Sequence, residues 1–106
     1  MLPKLSVNRE ACEELSEAAT WYEQQRPGLG DALLSAVGQV LARVQASPNA
    51  GVPYHPTRDD PTELRLRRAP VSGFPYMVVY LVRDDEIRVL AFAHGHRRPG
   101  YWRQRR

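Results

Sequence analysis

Two stretches of helical periodicity separated only by Arg26-Pro27-Gly28 restrict this chain more than any other feature. In the first, Ala11, Cys12, Leu15, Ala18, Ala19 and Tyr22 form an apolar stripe, while Glu10, Glu13, Glu14, Glu17 and Glu23 fall mostly opposite. Asn8 stands before the stripe, where its side chain can accept a bond from an early backbone N–H. Pro27-Gly28 ends this helix, because proline disfavours helical geometry in the residue before it. The second stripe, Leu29, Leu33, Leu34, Val37, Val40, Leu41 and Val44, predicts a helix from Leu29 to Ala46, ended by Ser47-Pro48. Asp31 lies in its first turn, where the helix dipole favours a negative charge. So short a connection makes the pair an antiparallel hairpin. A hairpin with one apolar side needs a second layer.

That layer is read from the rest of the chain. Leu2 to Val7 is a short strand candidate. Residues 48–62 hold Pro48, Pro53, Pro56 and Pro61 with Asn49 and Gly51, and read as a loop. Glu63 to Arg68 alternates, Leu64 and Leu66 facing one way and Arg65 and Arg67 the other, as a half-buried strand does. Phe74 to Val82 is apolar on both faces, which marks a central strand, and Asp84-Asp85-Glu86 turns the chain into Ile87 to Ala93. The expected fold is α+β in the order β-α-α-β-β-β. An antiparallel sheet of about four strands carries the N-terminal helical hairpin on one face, with a short C-terminal tail. At 106 residues, 1–106 is expected to be one domain, since two cores would each be too small.

Composition narrows the function classes. The chain is 42% apolar and 25% charged, and no apolar run approaches the roughly 20 residues of a membrane span, so no membrane partner is expected. Met1 to Val7 lacks the long apolar stretch of a secretory signal, and one cysteine, Cys12, cannot form an internal disulfide; both fit the cytoplasm. Cys12 lies on the first stripe and is expected to pack as a small hydrophobe. The net charge of +3 hides an asymmetry: residues 1–50 balance at −2 and residues 51–106 at +5. Fourteen of the fifteen basic residues are arginine, whose planar fork suits phosphate and carboxylate. Arg97 to Arg106 carries five arginines and no acid, which points to an anionic partner, nucleic acid or an acidic protein segment. Apart from Tyr101 and Trp102 this tail offers little to bury, so it is expected to serve contact rather than stability.

His94 and His96 stand two apart at a strand end, but only His55 could join them and zinc sites use three or four ligands. Neither a metal nor a cofactor is expected. Tyr22 reads as core and Trp21 beside it as partner surface. Trp102, flanked by Arg98 and Arg103, reads either as a surface aromatic able to stack or as a cap folded back onto the sheet.

Four ordered segments then carry a resemblance. They are Glu17-Ala18-Ala19-Thr20-Trp21-Tyr22-Glu23 with Pro27-Gly28-Leu29-Gly30, Phe74-Pro75-Tyr76-Met77-Val78-Val79-Tyr80, Ile87 to His94, and Arg97-Arg98-Pro99-Gly100-Tyr101-Trp102 closing with Arg103 to Arg106. Together they resemble the RelE/ParE toxin superfamily of bacterial type II toxin–antitoxin systems, across almost the whole chain. The resemblance implies a small growth-inhibiting toxin, silenced as a hetero-oligomer by the extended C-terminal segment of a cognate antitoxin. RelE-like members cut messenger RNA on the ribosome, and ParE-like members poison DNA gyrase. For a nuclease, the resemblance implies catalytic roles for Arg65, Arg67, Arg97 and Tyr101, with His94 or His96 as a possible acid–base group. Met77 departs from that pattern, because nuclease members carry an arginine there and a thioether stabilises no phosphate charge. The helical hairpin is also more ParE-like, so the resemblance favours that branch. Target or antitoxin contact is implied for Arg65, Arg67, His94, His96, Arg97, Arg98, Trp102 and Arg103.

Overall fold

The computed structural model of the protein describes residues 2–54, 66–95, 101, 102 and 105. Strand β1 (Lys4–Val7) leads into helices α1 (Arg9–Gln25) and α2 (Leu29–Ala46). Strands β2 (Val52–Pro53), β3 (Leu66–Pro70), β4 (Tyr76–Arg83) and β5 (Glu86–His94) follow. The alternating segment read as starting at Glu63 has its described strand at Leu66–Pro70; Leu64 and Arg65 lie outside the described residues.

The helical hairpin forms as its stripes require. The Asn8 side chain accepts from Glu10 N at 2.8 Å and caps α1. Gly28, the N-cap of α2, has no side chain to do the same, and Glu23 of α1 substitutes for it. Its carboxylate accepts from Gly28 N and Gly30 N at 3.0 Å, so one acid ties the two helices together and satisfies the start of α2. Gly30 sits where a Cβ would come within 2.7 Å of the Ala19 carbonyl oxygen, so the helices approach this closely only with glycine there.

Both stripes are narrower than the sequence suggested. Ala11, Ala18, Leu33, Val37, Val40 and Val44 are buried, but Cys12 and Leu34 are exposed. Each follows a fully buried residue and is turned from it by roughly 100°, the helical angle per residue. The expectation that Cys12 packs in the core is thereby corrected.

The sheet has five strands in the order β1-β5-β4-β3-β2. Strands β2 to β5 are antiparallel as expected, and the two-residue β2 adds an edge inside the segment read as loop. β1 pairs in parallel with β5, Lys4 opposite Glu86 and Val7 opposite Val89. The fold class stands and the all-antiparallel pairing does not: β4 and β5 already pair through the Asp84-Asp85 turn, so β1 takes the remaining edge of β5. Among the described residues no helix is long and apolar enough to cross a membrane.

Strand alternation divides the sheet's side chains between two faces. Ala69, Val78, Tyr80, Ile87, Val89 and Phe92 meet the helices, and Leu66, Val79, Leu81, Leu90, Ala91 and Ala93 form a second cluster on the far face. A bulge adjusts β5 to this division. Val79 pairs with Ala91 but Tyr80 with Val89, which leaves Leu90 as the extra residue and turns Leu90 and Ala91 to the same face.

Tyr80 fastens the sheet to the end of α2. Its fully buried hydroxyl donates to Pro48 O and accepts from Gly51 N, both at 2.9 Å. A Cβ on Gly51 would lie 2.5 Å from that hydroxyl, so the residue there is glycine. Burial pushes the Tyr80 pKa above 10.0, partly offset by the Gly51 N–H and the charges of Arg67 and Arg43.

Two predictions follow from this core. Leu33→Ala should cost about 2–5 kcal/mol in urea unfolding, and Glu13→Ala, on the exposed side, less than about 0.5 kcal/mol. Equal effects would mean that the buried side of the hairpin is misassigned. The Tyr80 hydroxyl keeps in the folded state a proton that the unfolded chain releases near pH 10.0, so its contribution is complete below that pH and disappears as pH rises through the higher folded value. Tyr80→Phe should therefore lose about 1–3 kcal/mol at neutral pH and show a shallower decline in stability above pH 10 than the parent protein. Parallel curves for the two proteins would be inconsistent with this assignment.

Candidate functional site

Among the described residues no helix lies over the far face of the sheet, and the chain itself covers part of it. Trp102 lies there 1% exposed among Leu66, Val79, Leu81, Leu90, Ala91 and Ala93. It stacks on Tyr54 with ring centroids 5.6 Å apart and meets Tyr101 edge-on at 5.2 Å. Arg68 lies 5.2 Å over the Tyr54 ring, and Arg105 lies 5.0 Å over that of Tyr101. An aromatic row with an arginine at each end therefore crosses this face. Trp102 Nε1 is buried within it and has no hydrogen-bond partner among the described residues. Of the two readings of Trp102, the cap is the one the structure contains; an accessible surface ring is not.

Three residues after Trp102 the tail is held a second time. Glu14 Oε1 accepts from Arg105 Nη1 at 2.7 Å and from Phe92 N at 3.3 Å, and Oε2 accepts from the Tyr101 hydroxyl at 2.5 Å. Arg105 Nε also pairs with Glu10 at 3.2 Å, its Nη1 reaches Leu90 O at 3.3 Å, and Asn8 Nδ2 donates to its carbonyl at 3.2 Å. Burial opposes the Arg105 charge, yet the hydrogen bond and charge of Glu14 outweigh it and raise the pKa above the ordinary guanidinium value. The Arg105 and Glu14 side chains are only 12% and 15% exposed. The expectation that the tail serves contact without stability is corrected: it supplies the largest fully buried side chain and a shielded ion pair.

Glu14 is the residue that sequence reading missed, since its charge assigned it to the solvent side. The helical angle held the signal, because Glu14 lies roughly 60° from Ala11 around the helix, nearer the stripe than Cys12 at roughly 100°.

The other candidate residues are placed as follows. Arg67 points to the helix side of the sheet, where Nη1 donates to Gly51 O at 2.6 Å and Asn49 O at 3.3 Å, so it secures the α2–β2 connection. The neighbouring Arg68 is the exposed arginine of β3 on the far face. Tyr101 stands on the far face, so Arg67 and Tyr101 are on opposite sides of the sheet. Met77 packs half-buried against the far cluster. His94 ends β5 with its ring edge-on to Tyr76 at 5.1 Å. Tyr76 has its own pKa raised by burial and by neighbouring Tyr22 and Glu14. Tyr22 meets Trp21 and Phe74 edge-on, which leaves Trp21 55% exposed at the outer rim of α1. Arg65, His96, Arg97, Arg98 and Arg103 lie outside the described residues, as does His55.

Comparison with known proteins decides the family. The family model for the ParE toxin of the type II toxin–antitoxin system parDE matches residues 5–99. The chain belongs to the ParE toxin family. The fold agrees: a chain of the chromosomal ParDE toxin–antitoxin system from P. aeruginosa superposes with a TM-score of 0.70 at 17% identity, over 88% of this chain and 96% of that one. No curated protein matches this ParE-family chain. The matched span reaches from β1 past the end of β5 and stops before Tyr101, Trp102 and Arg105, so the two-point attachment of the tail lies beyond it.

That attachment predicts a reversal of the sequence expectation. Removing residues 103–106 takes Arg105 away and leaves the Glu14 carboxylate shielded without its cation. The truncated protein should lose about 3 kcal/mol in denaturant unfolding, as when one partner of a buried pair is removed. A melting temperature unchanged by the truncation would show the ion pair to be dispensable.

Proposed function

We propose that this member of the ParE toxin family arrests growth by inhibiting DNA gyrase and is neutralised by an antitoxin encoded beside it. One observation favours the gyrase reading over an RNA-cutting one. Of the nuclease candidates, Arg67 and Tyr101 lie on opposite sides of the sheet, each engaged by the fold, the first with Gly51 and Asn49 and the second with Glu14. A nuclease needs such groups around one phosphate, within hydrogen-bond reach of the reacting atoms. Met77, where the nuclease pattern has arginine, offers no compensating cation.

The proposed contact surface is the far face with the C-terminal segment. Arg68 is exposed there over Tyr54, and the sequence adds Arg97, Arg98 and Arg103 of the C-terminal segment, which lie outside the described residues. His94 ends β5 with its ring on Tyr76 of the helix-side cluster, and His96, next but one in sequence, lies outside the described residues. So many cations with few acids among them suit an acidic partner, which the antitoxin's extended segment would supply on folding against the toxin.

Inducing the chain alone in a bacterial host should stop growth, and co-expressing the adjacent small gene should restore it. Gyrase-dependent DNA cleavage and DNA-damage signalling should rise while ribosome-bound messages stay intact. Codon-phased cleavage of messenger RNA within minutes of induction would replace the gyrase reading with the nuclease one. In that case Tyr101→Phe and Arg97→Ala should each slow cutting tens-fold or more. Normal growth at confirmed expression would remove the toxin reading altogether.

A further inference from the structure

Beyond Val7 the chain leaves the edge of β5 and turns into α1, with Asn8 N donating to Val89 O at 2.8 Å as the last backbone contact between them. Leu90 O and Phe92 N, just past that point, are met by side chains instead: Arg105 reaches the first and Glu14 the second. Glu14 thus stands between an unpaired stretch of strand and the C-terminal segment, and its one carboxylate gathers Phe92 N, Arg105 and Tyr101.

We propose that Glu14 is the positioning residue of the C-terminal segment, the group that sets where this segment lies on the sheet and through it the strength of the toxin's contact with its target. The inference rests on the functional reading above. Trp102 fixes one point of the segment by burial, and a single point leaves the chain beyond it free to swing. The Arg105 N–H to Trp102 O bond, at 2.9 Å, turns the chain back towards α1, and the second point is made there. Of the two acids at that point, Glu10 is 60% exposed, and exposed ion pairs hold little. Glu14 is 15% exposed and accepts three donors, and its partner Arg105 is 12% exposed and lies over the ring of Tyr101, so the interaction between the two is screened far less. Its partners lie on β5 and in the tail, which makes it the side chain that converts the course of α1 into the course of the C-terminal segment.

The test compares the full chain with Glu14→Gln, Arg105→Gln and their double variant, using purified DNA gyrase as the probe. Leu33→Ala serves as a control for lost stability. Hydrogen exchange over residues 90–106 and inhibition of supercoiling are read well below every melting temperature. In Glu14→Gln, exchange should rise across the tail and at Phe92 while the helices stay protected, and inhibition should weaken tenfold or more. Leu33→Ala should retain its potency. The double variant should be no weaker than the worse single one, because Glu14 acts through Arg105. Unchanged tail exchange in Glu14→Gln, unchanged potency, a matching loss in Leu33→Ala, or additive losses in the double variant would each overturn the assignment. If the parent chain leaves gyrase unaffected, the functional reading falls and exchange alone decides the positioning role, for or against.

Discussion

A sheet whose central strands are apolar on both sides has to be covered twice, and the organisation of this protein follows from that requirement. β4 and β5 place Val78, Tyr80, Ile87, Val89 and Phe92 on one side and Val79, Leu81, Leu90, Ala91 and Ala93 on the other. The helical hairpin covers the first side with aliphatic side chains. The second is covered by Trp102 with Tyr54 and Tyr101 at its margin, side chains brought in from loop and tail. The division explains why so basic a tail is part of the fold. Its arginines are spaced around two aromatic residues that the sheet needs, and burying those aromatics carries Arg105 to the two glutamates of α1.

Electrostatics then reinforces what packing begins. The negative first half and positive second half of the chain meet where α1 lies beside the tail, and part of the charge asymmetry is satisfied internally by Arg105 with Glu10 and Glu14. Arg67 is likewise spent within the molecule, on carbonyl oxygens at the end of α2. What remains for a partner is smaller than the composition implies, and among the described residues it includes Arg68 at the outer end of the aromatic row. In such a contact the position of a few cations matters more than total charge.

Much of this was legible in the sequence, and the parts that were not share a cause. The hairpin, the strand sequence and the family could be read because each depends on local periodicity or on ordered segments. Leu33 and Val37 were placed correctly for that reason, and Cys12 and Leu34 misplaced because apolar character alone does not fix the width of a stripe. The parallel pairing of β1 with β5 depends on which edge is left after the hairpins form, which no local pattern states. Glu14 was hidden in the same way: its partners are 78, 87 and 91 residues downstream, and a glutamate in a helix resembles any solvated acid until those partners arrive. Alternation also separated Arg67 from Leu66 without stating which of the two faces the helices cover, and Arg67 lies on that covered side.

The parallel pairing of β1 with β5 has a consequence for synthesis. Chains are made from the N-terminus, and the helical hairpin, built from local contacts, is able to form early. β1 must wait for Glu86–Val89, and the far side of the sheet waits still longer, for Trp102 and Arg105. A nascent chain therefore carries an uncovered apolar surface until Trp102 has been made. A chain that ends before Trp102 keeps that surface, which makes it a substrate for chaperones and proteases.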